Sequence, residues 1–414
     1  MFVTYNNKKE TVGNGDYCMI YLDNAATTSV DTAVVKEMLP YFTMEYANPS
    51  EIYSYATGAR KGMNSARKYI ADLINADMTE IYFTSGGTES DNWAVKGAAY
   101  TLNGKGKHII TSAIEHHAVI NSCKELEKSG YDISYIPVGR DGIVDPERVR
   151  HAMRSDTILV SIMMANNEIG TIQPISEIAC MAHERGIWMH TDAVQAFGNI
   201  DIDVKKLNVD MLSASAHKCH GPKGMGMLYI RNGIKLSPVM SGGKQERAMR
   251  AGTENIPGIV GFGKAAQLCK EKDNYNSEYI TKLRNHFIKR VTDEIEHVIV
   301  NGSVDKRLPG NVSFSFACLD GETIQIQLDM KGICCSTGSA CNAGVSGMSH
   351  VIAALNIPEE YSYGTLRFTI SDANTREEID YTVEALKEIV EKLRNMSSKY
   401  KAYKNTRTQN MTTY

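Results

Sequence analysis

The sequence has no excess of either charge and no long apolar run. Its 414 residues include 45 Lys and Arg against 48 Asp and Glu, a formal net charge of −3, and the basic residues are dispersed. Such a chain has no strong general attraction to nucleic acid or to an anionic membrane surface. No apolar run approaches the roughly 18 residues of a membrane span, and residues 1–17 lack the apolar core of a secretory signal. We therefore expect a globular protein of the cytoplasm, with no direct nucleic-acid or membrane partner.

The sequence also lacks the cysteine pattern of a disulfide framework or a metal site. Its nine cysteines are scattered over the chain, at positions 18, 123, 180, 219, 269, 318, 334, 335 and 341. Disulfide-stapled proteins are smaller and denser in cysteine, so reduced thiols are predicted. Cys334, Cys335 and Cys341 lack the CxxC spacing of zinc and iron–sulfur ligands, and no fourth ligand is evident. A metal or iron–sulfur site is the weaker interpretation of this cluster.

Short β-rich runs alternate with helical patterns between about residues 80 and 230. Runs at 81–84, 108–111, 158–162 and 187–191 are typical of strands, and a helical stretch comes after each of the first three. This alternation predicts an α/β fold with a mainly parallel sheet covered by helices on both faces. Such sheets bind their ligands beyond the carboxyl ends of the strands.

The pattern changes after about residue 262. A long charged helical pattern at 263–297 is followed by strand-like runs, and an amphipathic helix is predicted at 377–396. We expect a large domain of residues 28–262 and a smaller α+β domain of residues 1–27 and 263–414. The length of the chain also favours two hydrophobic cores over one.

Lys218 and Asp192 are the most informative pair of residues. Lys218 follows an apolar run and begins a Gly-rich segment, and Asp192 ends the neighbouring run. A lysine amine can hold pyridoxal 5′-phosphate (PLP) as a Schiff base, and a carboxylate can keep its pyridinium nitrogen protonated so that the ring acts as an electron sink. The two residues together predict a PLP enzyme.

Three further motifs fall at the same predicted edge of the sheet. In segment 83–92, the backbone N–H groups of Gly87 and Thr88 at a helix start can hold a phosphate dianion, or Thr88 can simply cap the helix. His116 can stack on an aromatic cofactor and move protons near neutral pH, or cap a helix. The amide-rich segment 166–170 can donate hydrogen bonds to a phenolate-like oxygen or carboxylate, or form a plain turn.

A loop rich in small residues surrounds Cys341. Nine of the fourteen residues in 336–349 are Gly, Ala or Ser, which predicts a mobile loop over about 334–349. A cysteine at its centre is well placed to move as a nucleophile. Arg367 lies in the strand-like run after the loop, where it can clamp an amino-acid carboxylate or form a buried structural ion pair.

Taken together, these segments resemble the cysteine desulfurases of the NifS/IscS type, within the class-V aminotransferase family of fold-type I PLP enzymes. The resemblance extends from residue 21 to the final amphipathic helix and rests on ordered motifs at 21–28, 47–50, 84–92, 115–116, 166–170, 190–195, 215–218, 250–255 and 336–341. It implies a fold-type I transferase whose large domain has a mainly parallel seven-stranded sheet. The implied reaction removes sulfur from L-cysteine, gives L-alanine and leaves a persulfide on Cys341.

The resemblance also implies a role for each site residue. Lys218 would be the Schiff-base lysine and the base for the α proton, Cys341 the sulfur-accepting nucleophile, and His116 a catalytic residue stacked on the cofactor ring. Further cofactor contacts would come from Asp192, Gln195, Asn167, Gly87, Thr88, Ser215, His217 and, in the other subunit of a homodimer, Thr253. Arg367, Asn48 and Asn167 would bind the substrate. No resident metal is implied, although Cys341 can transiently ligate an iron–sulfur cluster.

The chain departs from the family pattern at three places. Tyr53 stands where the Asn-Pro-Ser-Ser-x-His segment has its histidine, and Lys244 replaces the third glycine of Gly-Gly-Gly-Gln-Glu. The Cys341 loop lacks Leu-Glu-Pro, and the C-terminal tail does not match the scaffold-binding end of the family. The sulfur acceptor therefore stays open between an iron–sulfur scaffold, a tRNA-thiolation protein and a nitrogenase-related partner.

Two other functions remain compatible with the sequence. One is a selenocysteine lyase or another class-V lyase or aminotransferase, which need not carry a cysteine on a mobile loop. The other is a non-enzymatic iron–sulfur or metal-binding scaffold that has lost PLP. A desulfurase needs Cys341, whereas the first alternative does not. A PLP enzyme needs Lys218, whereas the second alternative does not.

Overall fold

The structure, a computed structural model, describes residues 19–272, 275–337 and 348–411. Its contacts divide the chain into two compact units. The large unit comprises Thr27–Ser277 and Gly302–Pro309, and the small unit comprises Met1–Ala26, Glu278–Asn301 and Gly310–Tyr414.

The strands of the described residues are numbered in chain order. They are β1 (Ile20–Tyr21), β2 (Ile81–Thr84), β3 (His108–Ser112), β4 (Asp132–Ile136), β5 (Thr157–Ser161), β6 (Trp188–Asp192), β7 (Met211–Ser215), β8 (Gly226–Ile230), β9 (Val298–Val300), β10 (Asn311–Phe316), β11 (Ile333–Cys334) and β12 (Thr365–Thr369).

The α-helices of the described residues are α1 (Thr32–Met38), α2 (Pro40–Thr43), α3 (Thr57–Leu73), α4 (Gly87–Leu102), α5 (His117–Lys128), α6 (Pro146–Ala152), α7 (Ile175–His183), α8 (Val204–Leu207), α9 (Gln245–Ala248), α10 (Ile256–Lys272), α11 (Tyr275–Glu294), α12 (Gly321–Asp329), α13 (His350–Ala354), α14 (Glu359–Ser362), α15 (Arg376–Met396) and α16 (Ser398–Met411). Short 3-10 turns occur at Ser54–Ala56, Met78–Glu80 and Ala216–Lys218.

The large unit is built on a seven-stranded sheet of order β2-β8-β7-β6-β5-β3-β4. Strand β8 runs antiparallel to both of its neighbours, and the other pairs are parallel. The predicted mainly parallel sheet is therefore confirmed. Strands β3, β5 and β7 are buried along their whole length, as expected for strands that are covered on both faces.

The strand directions bring the predicted site segments to one edge of this sheet. Strand β2 is antiparallel to β8, and β8 is antiparallel to β7, so β2 runs in the same direction as β3, β5, β6 and β7. The segments that come directly after these five strands therefore share the carboxyl edge. Open α/β sheets bind their ligands at this edge.

The boundary between the units lies after Ser277, not after residue 262 as the sequence predicted. Helix α10 crosses the predicted boundary and packs along α3 of the large unit. The two helices approach closely at Gly263, where an added Cβ would come within 2.3 Å of the Ala66 Cα. The charged pattern at 263–297 is thus divided between α10, which belongs to the large unit, and α11.

The small unit is an α+β unit, as predicted. Strands β12, β10 and β9 form an antiparallel sheet, and β1 pairs with β11 in parallel. Its aromatic core is centred on Phe287 of α11, whose ring lies 5.5 Å from that of Phe314 and 5.1 Å from that of Phe368. Helix α15 covers this core and begins at a capping box formed by Thr375 and Glu378.

Candidate active site

The segment carrying Lys218 is a 3-10 turn that directly follows β7. Lys218 is half-buried. Thr28 holds the turn in place, because its backbone N–H and its hydroxyl both donate to the His217 carbonyl at 3.0 Å. The Thr28 hydroxyl also accepts from the His220 N–H at 2.9 Å. Thr28 belongs to the 21–28 motif, but sequence reasoning assigned it no role.

Asp192 ends β6, next to β7 in the sheet. Its carboxylate is only 5% exposed and accepts from the Val194 N–H at 2.9 Å. Burial raises the pKa of Asp192, while the nearby charges of His116 and Lys218 act to lower it. The structure therefore brings together the three residues that the sequence predicted around the cofactor ring.

His116 is both a helix cap and a member of this cluster. Its Nδ1 accepts from the Ala118 N–H at 3.1 Å at the start of α5. Burial lowers the pKa of His116, and the positive charge of Lys218 lowers it further against the opposing effect of Asp192. The ring is thus neutral at neutral pH, with Nδ1 committed to the helix and the proton on Nε2.

A cavity of about 390 Å³ opens at the N-terminus of α4. Its lining contains Gly87, Thr88, Ser215 and His217, which are four predicted phosphate contacts, together with Thr27, Ser85, Gly86, Glu89, Lys223 and Gly224. Helix N-termini and backbone N–H groups favour phosphate. Sequence reasoning missed Lys223, whose position in Gly221-Pro-Lys-Gly224 was a usable signal.

The polar groups of the cavity suit a phosphate dianion. Gly87 has no room for a side chain, since an added Cβ would lie 2.5 Å from the Val194 Cγ2. Burial and the charge of Lys218 lower the pKa of His217 to about 4, so its ring is neutral. The acid of the lining, Glu89, forms a bidentate ion pair with Arg250 at 2.8 and 3.0 Å. The residues present therefore fit the phosphate of PLP.

Asn167 and Gln195 come after β5 and β6 at the carboxyl edge, and both are half-buried. The turn that carries Asn167 is fixed by its neighbour Asn166. The Asn166 Oδ1 accepts from the Glu168 and Ile169 N–H groups at 2.8 and 3.0 Å. The amide-rich segment is thus a structural turn that also presents Asn167 at the edge where Asp192 lies.

A buried polar cluster close to Asp192 was missed by sequence reasoning. Fully buried His190 contacts the Ser161 hydroxyl at 2.8 Å and the Ser213 hydroxyl at 3.0 Å, and its Nε2 lies 3.7 Å from the Asp91 Oδ1. Burial lowers the pKa of His190 to about 3. Burial and the negative charge of Asp192 raise the pKa of Asp91 well above its ordinary value. The imidazole of His190 is therefore neutral, and burial shifts Asp91 towards its protonated form next to Asp192.

Glu115 belongs to the same region of the large unit. It is 1% exposed and accepts from the Ser112 hydroxyl at 2.5 Å and from the Met163 N–H at 3.0 Å. Burial raises the pKa of Glu115 to about 8 despite these hydrogen bonds, and the charge of Asp192 adds to the effect. The Glu115-His116 motif thus places a neutral carboxyl group beside the capping histidine.

A strained segment precedes Thr253. Glu246, Arg247 and Ala248 have φ angles of 44°, 59° and 65°, a left-handed backbone that costs non-glycine residues about 1–3 kcal/mol each. A buried bidentate ion pair holds it, because Arg67 donates to Glu246 at 2.6 and 2.9 Å. Thr253 itself is exposed, as is Lys244 just before the segment.

The two predicted carboxylate-binding residues belong to different units. Arg367 is 4% exposed on β12 of the small unit and donates to the Asp23 Oδ1 at 2.8 Å, so it has the ion pair of its structural interpretation. In the large unit, half-buried Asn48 accepts from the Ser50 N–H at 3.0 Å. Cys341 and most of its predicted loop lie outside the described residues.

The described part of the chain offers neither a metal site nor a membrane span. Within residues 19–272, 275–337 and 348–411, no group of three or more His, Cys, Asp or Glu side chains is arranged to hold a metal ion. In the same ranges, no helix combines the length and the apolar character needed to cross a bilayer. Burial raises the pKa values of Cys334 and Cys335, which keeps both as thiols.

The chain is similar to known proteins over most of its length. Residues 20–382 match the family model described as aminotransferase class-V. The chain is 51% identical over 378 residues to a cysteine desulfurase IscS of Methanosarcina thermophila, covering 91% of this chain and 93% of the relative. It is 48% identical over 386 residues to that of Clostridium botulinum strain Hall, covering 93% and 97%.

Solved structures with the same fold include a NifS-like protein from Rickettsia africae. The two are 32% identical with a TM-score of 0.81, and the match covers 90% of this chain and 99% of that one. Another NifS-like protein gives a TM-score of 0.85 at 36% identity over the same shares of the two chains. The chain therefore belongs to the class-V aminotransferase family, in its NifS/IscS group of cysteine desulfurases.

Proposed function

We propose that this protein is a PLP-dependent cysteine desulfurase that converts L-cysteine to L-alanine and carries the released sulfur as a persulfide on Cys341. The observation that carries the proposal is the placement of Lys218, Asp192 and His116 at one edge of the sheet, where the cavity at the N-terminus of α4 also lies. The relatives named cysteine desulfurase support the same reaction.

The cofactor would be held at both of its ends by residues of the large unit. The phosphate would lie against Gly87, Thr88, Ser215 and His217, and the ring nitrogen would face Asp192. Bound PLP supplies an electron sink for the negative charge that develops at the substrate α carbon. Gln195 and Asn167 would donate to the ring oxygen and to the substrate. Lys218 would bind the cofactor through its amine and later accept the α proton.

The protonation states of the site suit this role. Burial raises the pKa of Asp192, and the positive charge of Lys218 opposes that shift and favours the carboxylate. His116 is neutral, and its Nδ1 is occupied by the backbone of α5. Its Nε2 is therefore the nitrogen that can exchange a proton with the substrate or with the Cys341 thiol, whose thiolate is the reactive form.

Arg367 and Asn48 are proposed to bind the substrate carboxylate. Arg367 already pairs with Asp23, so its guanidinium is held in one orientation before any substrate arrives. A guanidinium has five N–H donors, so Arg367 can donate to Asp23 and to a second carboxylate at the same time. Bidentate binding of this kind fixes the orientation of an amino acid as well as its charge.

A homodimer is the proposed assembly, with Thr253 completing the phosphate site of the other subunit. The large unit exposes a dense set of large apolar side chains between Val35 and Tyr55, namely Leu39, Phe42, Met44, Tyr46 and Ile52, at 59–96% exposure. Apolar surface of this density favours a protein partner. The strained backbone at Glu246–Ala248, which precedes Thr253, also favours an interface here, because strained residues cluster at functional sites.

We further propose that the sulfur passes to an acceptor protein in the cytoplasm. An iron–sulfur scaffold is the first candidate because the relatives carry the IscS name, and a tRNA-thiolation protein is the second. A selenocysteine lyase or other class-V enzyme differs in a testable way, because it would not need Cys341.

The deciding experiment is incubation of the cofactor-loaded protein with L-cysteine, with alanine and sulfide measured together and Cys341 examined by mass spectrometry. We expect equal amounts of alanine and released sulfur, and one added sulfur on Cys341 when no reductant is present. Cys341→Ala should abolish turnover, while the matched control Cys334→Ala keeps it. Full turnover of Cys341→Ala with cysteine would contradict the persulfide mechanism and favour a lyase.

A further inference from the structure

Cys219 and Cys269 form a thiol pair directly beside Lys218. Cys219 is the residue after Lys218, and Cys269 lies near the end of α10. The neighbouring Cys269 thiol and burial both raise the pKa of Cys219, and the Cys269 Sγ lies 4.0 Å from the Cys219 carbonyl oxygen. Both are thiols in the structure. The proposed desulfurase reaction uses neither of them.

Both cysteines pack closely against the backbone of Gly198. An added Cβ at Gly198 would lie 2.9 Å from both the Cys219 Cβ and the Cys269 Sγ. Gly198 also has a φ of 77°, which a glycine adopts without strain. This glycine therefore lets the two cysteines pack over the chain at the same point.

The two thiols differ in their access to solvent. Cys219 is 3% exposed, and its Sγ donates to the Ala216 carbonyl at 3.3 Å, whereas Cys269 is half-buried at the surface of α10. A small oxidant would therefore reach Cys269 first. Cys219, which is next to Cys269, would react second and act as the resolving cysteine that forms the disulfide.

We propose that Cys219 and Cys269 are a reversible oxidation site, at which hydrogen peroxide produces a disulfide that displaces Lys218. In the first step, the Cys269 sulfur attacks the peroxide, the O–O bond breaks, and a sulfenic acid and water form. In the second, the Cys219 sulfur displaces the sulfenic hydroxyl, which leaves as water with the thiol proton. The two thiols lose two electrons and two protons, and the peroxide is reduced to two waters.

The disulfide acts on Lys218 through the backbone. Forming the S–S bond draws Cys219 towards α10 and removes its hydrogen bond to Ala216, which belongs to the same 3-10 turn as Lys218. A shift of about 1 Å in a catalytic group can cost roughly 100-fold in rate, and that is the loss of turnover expected on oxidation. This expectation for turnover rests on the proposed function, whereas disulfide formation does not.

The test uses the cofactor-loaded protein with Cys341→Ser, so that oxidation of the proposed nucleophile plays no part. After hydrogen peroxide treatment and trypsin digestion without reductant, we expect peptides 219–223 and 265–270 joined by a bond that dithiothreitol cleaves. The visible absorbance of the cofactor bound to Lys218 should change with the disulfide and return on reduction. Cys269→Ala should prevent both effects, and the matched control Cys180→Ala, at an exposed cysteine, should show both.

Turnover with L-cysteine is then measured before and after peroxide treatment, both in the protein with Cys341 intact and in its Cys269→Ala variant. If peptides 219–223 and 265–270 are recovered after peroxide treatment as separate thiols, or as sulfinic acids, the proposed disulfide site is wrong. A disulfide that forms without changing the cofactor absorbance would overturn its effect on Lys218. Failure of the proposed desulfurase function is a separate outcome, because turnover with L-cysteine would then be missing before any oxidant is added.

Discussion

At the scale of single residues, the site depends on which side chains carry a proton. Burial raises the pKa of the Asp91 and Glu115 carboxyl groups towards the neutral form, and it lowers the pKa of the His190 and His116 imidazoles, which also favours the neutral form. Burial also raises the pKa of Asp192, but the positive charge of Lys218 opposes this effect. A set of neutral groups around one carboxylate concentrates the negative charge where a pyridinium nitrogen would need it.

His116 has two separable roles, and two substitutions distinguish them. His116→Ala removes both the helix cap and the ring, whereas Asn at this position can still cap α5. We expect both variants to lose about 100-fold or more in turnover, the scale of general acid–base catalysis. His116→Ala alone should also lose about 1 kcal/mol of stability, measured by urea unfolding. Equal turnover of His116→Asn and the parent protein would exclude a catalytic role for the ring.

Glu115 should make stability depend on pH in a defined direction. Its pKa is about 8 when folded, against 4.5 ordinarily, so the folded protein keeps a proton that the unfolded chain releases between these values. Its contribution to stability is therefore complete below pH 4.5 and is lost as the pH rises towards 8. Glu115→Gln keeps a neutral side chain at every pH. Relative to the parent, this variant should gain roughly 4 kcal/mol in urea unfolding between these two pH values, and an unchanged difference would contradict the raised pKa.

At the scale of elements, four buried strands of the large sheet were predicted, whereas the buried strand β8 and the exposed elements were not. Strands β2, β3, β5 and β6 were found because each is an apolar run. Edge strand β4 was missed because it is buried only at its last residue, so its sequence needs no continuous apolar run. Helix α16 has no apolar stripe in its sequence, and its Tyr400 packs instead against His297 of the small unit.

The start of α4 should be intolerant of a single methyl group. In Gly87→Ala the new Cβ would lie 2.5 Å from the Val194 Cγ2 at the wall of the phosphate cavity. Overpacking of this kind costs about 1–3 kcal/mol, so PLP affinity should fall roughly tenfold, measured by fluorescence titration of the cofactor-free protein. The double variant Gly87→Ala, Val194→Ala removes the clash and should recover most of the affinity. No recovery would show that Gly87 is needed for another reason.

The strained segment Glu246–Ala248 should depend on its buried ion pair. Glu246→Gln leaves the Arg67 guanidinium buried without its carboxylate partner, and breaking such a pair costs about 3–5 kcal/mol. Lys68→Met is a matched control, because Lys68 is the next residue of α3 and its ion pair with Asp72 is exposed. That control should change stability by less than about 1 kcal/mol. Equal thermal stability of the two variants would contradict a structural role for Arg67.

At the scale of the whole molecule, the two units differ in what they contribute. The large unit contains Lys218, Asp192, His116 and the cavity, and it also exposes the apolar side chains between Val35 and Tyr55. The small unit contains Arg367 and the residues on either side of the Cys341 loop. The proposed reaction needs both units, and the proposed homodimer needs the apolar surface of the first.

A charge placed on that apolar surface should dissociate the homodimer. Phe42→Glu introduces a carboxylate at a side chain that is 59% exposed, and a lost aromatic anchor typically costs about 2 kcal/mol or more at an interface, or roughly 30-fold in affinity. We expect monomers by analytical ultracentrifugation, together with weaker PLP binding if Thr253 acts across the interface. Met330→Glu, at an 80% exposed side chain of the small unit, is the control and should leave the association unchanged. A dimeric Phe42→Glu variant would exclude this surface.

The sequence by itself determined the parallel sheet, the carboxyl-edge site and the pairing of Lys218 with Asp192. These features are readable because each is local: a buried strand is an apolar run, and the residue directly after it lies at a known edge. Only the tertiary structure decided that Thr28 holds the Lys218 turn, that Arg67 pairs with Glu246 and that Cys219 meets Cys269. Such contacts join residues up to 192 positions apart. No local pattern encodes them, because they exist only once packing has brought distant elements together.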